Sequence, residues 1–266
     1  MEKYCKRYIP ILLMVCLNSI NPAHGAEWSN TEIHFQYGEL KAPSFANGVK
    51  ADTTIVTFQH ASGWKYGSNF FFIDRIDDNR PDGFNDQDWY GEWYTHLSVN
   101  KMSGRQRGAL LADWGPVMGF NFAADASVTK YLPGIRFSWN VDGFAYLNTD
   151  FTAYIDDSEG VNNGGAPSDD DSYMIDVSWS YPFSIGEHAF MISGHAEYIG
   201  ERTNELGNEV SDWILAQPQF RYDLGKTLWN DEGKVFIGIE YQYWKNKLGD
   251  KAITDNVAQF LLVVQL

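Results

Sequence analysis

Ionisable and aromatic side chains in this chain recur at every second position inside alternating stretches. Tyr90, Glu92, Tyr94 and His96 are one such run. Tyr146, Asn148, Asp150 and Tyr154 are another, as are Asp176 among serines, His195 with Glu197, and Glu240 between Phe236 and Trp244. Arg136 and Arg221 stand in matching places of two further runs. On a strand, residues two apart share a face. Each run therefore lays carboxylates, an imidazole, guanidinium groups or phenol rings along one wall. Such a wall can hydrogen-bond a polar solute and stack against a flat ring, a contact worth roughly 1–3 kcal/mol per base in nucleic-acid binders. Other chemistry is poorly supplied. No G-x-S-x-G elbow occurs. A catalytic His with Ser or Asp could arise only from the three-dimensional arrangement, as in barrel-embedded hydrolases. His188 and His195 are seven apart and point to opposite faces of a strand, so no metal site is expected. In the acidic run 74–88, taking Asp78 as position 1 puts Asp82 and Gly83 at 5 and 6, but Trp89 then fills the last ligand position. The run fails the EF-hand pattern and reads as a solvated loop. No cofactor and no enzymatic activity are expected.

The elements that must carry these runs are strands. Residues 172–183 and 188–199 form a hairpin whose arms both alternate with period two. One row holds Tyr173, Ile175, Val177, Trp179 and Tyr181, facing Phe190, Ile192, Gly194, Ala196 and Tyr198; the other holds Asp176, Ser178, Ser193, His195 and Glu197. Apolar rows that begin and end in aromatics fit a lipid-facing band between interfacial girdles, while ionisable groups deep in the opposite row fit a water-filled lumen. Ten further strands are expected at 30–37, 52–60, 66–73, 89–99, 113–123, 131–139, 144–155, 212–224, 235–244 and 257–266. Pro218 lies inside the tenth of the twelve, which points to an edge or a bulge there. Connections alternate in length. Val141-Asp142-Gly143 and residues 184–187 are tight, whereas 74–88, 156–171, 200–211 and 245–256 are long and polar. Short turns on one rim and long loops on the other belong to a bacterial barrel with both termini on the periplasmic side. Residues 100–112 and 225–234 are long for that rim. The alternative is a soluble periplasmic β-protein with one wet face.

Composition agrees with a secreted strand protein. Lys3, Lys6 and Arg7, the apolar run 8–17 and the small residues Ala23 and Gly25 read as a signal peptide over 1–25, leaving 26–266 as the barrel. Both cysteines, Cys5 and Cys16, fall in that signal, so no disulfide is expected in the remainder. Removing the signal makes the formal net charge of −15 two units more negative. That excludes nucleic acid as a partner, because the phosphate backbone would be repelled. No stretch after residue 17 has the length and hydropathy of a membrane helix. The expected fold is all-β, a transmembrane antiparallel up-and-down barrel of about twelve strands in a Gram-negative outer membrane. Its expected partners are outer-membrane lipid and lipopolysaccharide, and the barrel-assembly machinery reading the apolar last strand 260–266.

Three stretches, A-D-W-G-P-V-M-G at 112–119, Y-L-P-G-I-R-F-S-W-N at 131–140 continuing to L-N-T-D-F-T-A-Y-I-D-D at 147–157, and D-S-Y-M-I-D-V-S-W-S-Y-P-F at 171–183, resemble the nucleoside-specific channel-forming protein (Tsx) family. The resemblance implies a monomeric twelve-stranded barrel with a narrow pore that passes nucleosides. It transfers no ligand-contacting residue to this chain. The substrate-binding candidates are instead the inward rows themselves: Tyr90, Glu92, Tyr94, Arg136, Asp150, Asp176, His195, Glu197, Arg221 and Glu240. The bland alternative for each is a group that merely fills a solvated lumen. The expected function is passive diffusion of small hydrophilic solutes. The other function open at this point is that of a non-conducting surface protein, an adhesion or phage-receptor scaffold acting through its long loops.

Overall fold

The computed structural model describes residues 26–266, so the signal peptide expected over 1–25 lies outside the described residues. The strands are β1 Trp28–Lys41, β2 Lys50–Trp64, β3 Gly67–Asp78, β4 Asp88–Leu97, β5 Leu111–Ala123, β6 Val128–Trp139, β7 Tyr146–Asp156, β8 Ser172–Ile185 and β9 His188–Ile199. They continue with β10 Arg202–Thr203, β11 Glu209–Val210, β12 Trp213–Ala216, β13 Gln219–Asp223, β14 Val235–Lys245 and β15 Thr254–Gln265. β10 and β11 pair only with each other, as a small hairpin in a loop. All the others form one antiparallel sheet in chain order, and β15 pairs back on β1, with Phe35 opposite Leu262. The sheet is a closed barrel of twelve strands, β12 and β13 together making one of them. Closure leaves no unpaired edge, the condition for strands to cross lipid.

Pro218 marks neither an edge nor a bulge. Ala216 lies opposite Ala196 and Gln219 opposite Ser193, so the register is the same on both sides of it. The ladder pauses because proline has no N–H to give. Its carbonyl still accepts from Tyr241 N at 2.9 Å, and Gln217 N still reaches His195 O at 3.0 Å. Gly194 sits across from this pause at φ +143°, and a Cβ there would stand 2.3 Å from Gln217 O. The glycine is what lets the two backbones close.

The two rims differ as the loop lengths predict, with three adjustments. On the rim holding the described chain ends, β2 and β8 turn through two residues each, and Gly186 supplies the positive φ of the second turn. The two over-long connections there each contain a short helix: α1 Val99–Ser103, capped by Ser98 Oγ accepting from Lys101 N at 2.9 Å, and α2 Leu224–Trp229, capped by Asp223 accepting from Lys226 N at 2.7 Å. On the opposite rim the connection 124–127 is a four-residue turn, so not every loop there is long. The loop expected over 74–88 also shrinks, because β3 runs on to Asp78. The Phe70-Phe71-Phe72 run hides the alternation that carries Asp74 into the strand.

Alternation sends Phe35, Phe58, Trp93, Ile135, Phe151, Ile192, Phe220, Ile239 and Phe260 outward, and all of them are exposed. Aromatic pairs border this band on both sides: Tyr173 with Tyr198 at 5.9 Å between centroids on one, and Phe183 with Phe190 and Phe190 with Tyr222, both at 5.3 Å, on the other. An apolar belt between aromatic girdles is the outer surface of a membrane barrel. Among the described residues no helix is long and apolar enough to cross a membrane; the strands do so.

Candidate functional site

The ten residues expected to face inward do so. Tyr90, Glu92 and Tyr94 come from β4, Arg136 from β6, Asp150 from β7, Asp176 from β8, His195 and Glu197 from β9, Arg221 from β13 and Glu240 from β14. Registration puts Asp150 beside Asp176 and Asp176 beside Glu197 at one level of the wall.

These groups fall into two sets. In the first, every acid holds a cation. Arg136 grips Asp150 with two bonds of 2.8 and 2.6 Å. Arg221 Nη1 reaches Glu32 at 3.0 Å, and Glu32 also takes His34 Nε2 at 2.8 Å. Lys247 meets Asp255 at 3.0 Å and donates to Lys41 O at 2.6 Å. Lys130 spans Asp156 at 2.6 Å and Asp169 at 3.2 Å, and Arg202 joins Asp169 at 2.8 Å. Buried charges need such pairing because desolvation of each is expensive.

In the second set, Asp74, Glu92, Glu197 and Glu240 are held by neutral donors. Thr57 Oγ1 donates to Asp74 at 2.6 Å. Tyr90 OH and Asn121 Nδ2, the latter at 3.1 Å, serve Glu92. Trp213 Nε1 lies 3.4 Å from Glu197. Gln219, Gln259 and Gln217 give Glu240 amide N–H groups at 2.6, 3.2 and 3.3 Å. The single cation of this set is His195, whose Nδ1 is 3.1 Å from Asp176 and whose Nε2 is 2.9 Å from Gln217 Oε1. Gln217 cannot be turned round without pointing its oxygen at the carboxylate of Glu240. Both ring nitrogens of His195 therefore donate, the pattern of a protonated imidazole. Its side chain keeps 30% of its accessibility, so free space remains beside it inside the bore.

Asp176, His195 and Glu197 bring three possible ligand atoms within 4.8 Å, the one such cluster among the described residues. A search for histidine pairs misses it, because the cluster joins two residues on one face of β9 to one across the ladder. With both nitrogens of His195 committed to Asp176 and Gln217, the ring acts as counter-ion and not as ligand. Period two alone does not pick out five other buried or inward polar residues: Asp74, which falls in the acidic run 74–88, and Asn121, Gln219, Lys247 and Asp255, whose partners Glu92, Glu240 and each other are set by ladder register and by the turn after β14.

The bore is not polar throughout. Val117, Leu132, Met174 and Ile199 pack with Tyr94, Tyr154 and Trp213 inside it, and Phe236, Leu261 and Val263 make a second apolar cluster. Tyr154 and Phe236, expected as solute-facing rings, are thus packing groups. Arg202 stacks on Trp213 at 4.4 Å and on Tyr154 at 5.4 Å, narrowing the loop-bearing mouth. Outside it, Glu205 accepts backbone N–H groups of Val161 at 2.8 Å and Ser168 at 3.0 Å, which ties the loop 157–171 down and holds the Glu205 carboxyl below the usual carboxylate range.

No family model matches the chain, and no curated protein matches it. Solved structures do. The NanC porin is similar at 13% identity and a TM-score of 0.53, covering 89% of this chain and 100% of that one. The fold is that of an outer-membrane barrel. Weaker likenesses are to the KdgM porin, at 9% identity and a TM-score of 0.47 over 88% of this chain and 99% of that one, and to OmpT of Vibrio cholerae, at 10% and 0.41 over 90% and 97%. The closed barrel, its apolar belt and its polar inner wall place the protein in an outer membrane.

Proposed function

We propose that the barrel is a passive channel for small hydrophilic solutes, with nucleosides as the solutes of first interest. The observation that carries this reading is the free space beside His195 within the bore, where carboxylates, amides and an imidazole stand near a phenol ring. Tyr90 offers a face for a base, while Glu92, Asp176 and Gln217 offer partners for ribose hydroxyls. The resemblance of 112–119, 131–157 and 171–183 to the nucleoside-specific family supports the choice of solute. Of the ten inward candidates, Arg136, Asp150, Arg221 and the packed Tyr94 mainly brace the wall; the remaining six are the proposed contact set. Release must stay easy in a channel, so weak, shared contacts suit it.

The test is swelling of liposomes carrying the refolded protein, with adenosine or uridine as solute, together with single-channel recording. Nucleoside-dependent swelling and current block are expected. A folded protein that admits neither sugar nor nucleoside would sink the transport claim. A second reading, a non-conducting surface scaffold, draws on the filled parts of the bore, where Leu132, Leu261 and Gln259 are at 0% exposure. On that reading, removal of 157–171 abolishes partner binding while the barrel stays intact.

A further inference from the structure

The lipid-facing wall is not smooth. Phe144, Leu147, Trp179, Tyr181 and Ile192 line an apolar groove of about 420 Å³ on it, a volume within the range of small-ligand sites. Two neighbours that would fill the groove do not. Gly194, opposite Trp179, has no side chain to offer. Trp139 follows Ser138, which pairs with Asn148, so the register sets it beside Leu147. Its indole turns away instead, donating to Thr149 Oγ1 at 3.0 Å and stacking on Phe137. Phe144 and Tyr181 close the rim end edge to face, with centroids 5.2 Å apart. The groove therefore runs from the turn 140–145, on the periplasmic rim, to Ile192 near the middle of the belt.

The rim end has its own charge pattern. The adjoining turns carry Asp142, Glu187 and His188, and His188 Nδ1 lies 2.9 Å from Tyr222 OH. The connection after α1 is fastened to the first of these turns: Asn140 N donates to Leu110 O at 2.7 Å and Asn140 Nδ2 to Ala109 O at 3.2 Å. That connection carries Arg105 and Arg107, both exposed. Lys101 before them is engaged by Glu27 and by Trp64 O, both at 2.7 Å. Among the described residues no carboxylate pairs with either arginine. Two free guanidinium groups thus stand at the headgroup level of a strongly acidic chain, beside the end of a groove that opens into hydrocarbon. A guanidinium takes a phosphate through two parallel hydrogen bonds. The outer face of a second barrel is convex and would not enter so narrow a groove, whereas an acyl chain would.

We infer that this groove holds a retained phospholipid of the periplasmic leaflet, with one acyl chain along Leu147 and Trp179 and the phosphate at Arg105 and Arg107, and that it prefers an anionic headgroup. The inference stands on the membrane location and is independent of the channel reading.

The experiment folds the protein into vesicles containing phosphatidylcholine or phosphatidylglycerol with brominated acyl chains, which quench a tryptophan they touch. The signal of Trp179 is obtained by difference from the Trp179→Phe variant. Phosphatidylglycerol is expected to bind at Trp179 roughly fivefold or more above phosphatidylcholine, as basic groups near a membrane surface attract anionic lipid. The tryptophans that remain in Trp179→Phe should show a ratio near one. Arg105→Gln with Arg107→Gln brings the Trp179 ratio to one, whereas Lys226→Gln, on α2 and paired with Glu232 at 3.1 Å, leaves it unchanged. Both sites are on exposed connections, and folding of each variant is checked by heat-dependent migration. Equal quenching of Trp179 by the two lipids, or a preference that survives the double variant, overturns the site. Trp179 quenched by neither lipid, with dimers trapped by cross-linking, overturns it in favour of a second copy covering the groove.

Discussion

Replacing Ile192 by arginine separates a lipid-facing wall from a water-facing one. Ile192 is 38% exposed and stands fourth after the start of β9, between Tyr181 on β8 and Phe220 on β13. Four residues at about 3.4 Å each, on a strand tilted by about 40°, place it roughly 10 Å above the turn, close to the middle of a belt about 25 Å tall. Its neighbours Phe144, Leu147, Trp179 and Tyr181 line a shallow apolar groove with it. In water, a change at so exposed a position would shift stability by at most about 0.5 kcal/mol. In hydrocarbon the same arginine costs roughly 2–4 kcal/mol near the midplane and about 0–1 kcal/mol near the interface. Urea unfolding of the protein folded into lipid vesicles, followed by tryptophan fluorescence, measures the difference. Ile192→Arg is expected to lose about 2–4 kcal/mol and Tyr173→Arg, at the girdle, less than about 1 kcal/mol. Equal, small effects at both positions would refute the assignment of the outer face to lipid.

Four other outcomes follow from the same geometry. Ser193→Ala, one residue from Ile192 but facing inward, removes a buried hydroxyl that has no hydrogen-bond partner, and should leave the urea midpoint unchanged or slightly raised. Arg136→Ala strands the carboxylate of Asp150 and should cost about 3–5 kcal/mol, most of it recovered when Asp150→Asn is added. Gly194→Ala drives a methyl into Gln217 O and the Cα of Pro218, and should destabilise the barrel while Gly186→Asn, in an open turn, is tolerated. Glu205 has a lowered pKa in the folded loop, so its tie to Val161 and Ser168 is complete above the ordinary carboxylate range and is lost as pH falls through that lowered value. The protection factors of the Val161 and Ser168 amides, taken against the intrinsic rate at each pH, should therefore fall only in acid, and in Glu205→Ala the protection should be missing at every pH.

Period two made the strands and their faces readable, because a one-residue slip would have turned every charged side chain toward lipid. It failed where two rows look alike. In Phe70-Phe71-Phe72 the alternation vanishes, which hides that Asp74 lies on the strand and faces the bore beside Thr57. Met174, Leu132 and Ile199 face inward as apolar groups, so an inner row taken to be polar does not announce the packed part of the bore. Pro218 signals a lost donor, yet says nothing about register, which Gly194 and the flanking strands decide. Partners were the hardest part to read. Arg221 and Glu32 are 189 residues apart, and only closure of the barrel brings them together.

That closure also constrains how the molecule is made. Lys41 N meets Asp255 Oδ2 across 214 residues, and β1 has β15 as its second neighbour. Pairing of such high contact order is slow, since the entropy of closing the ring is spent before the last ladder returns anything. Until β15 arrives, β1 offers one bare edge and the acids of the inner wall lack their far-side partners. Closure of the ring is therefore expected late, after the ladders between neighbouring strands. A defect in the last strand should then appear as a delay in assembly of the whole barrel, with no partly built channel preceding it.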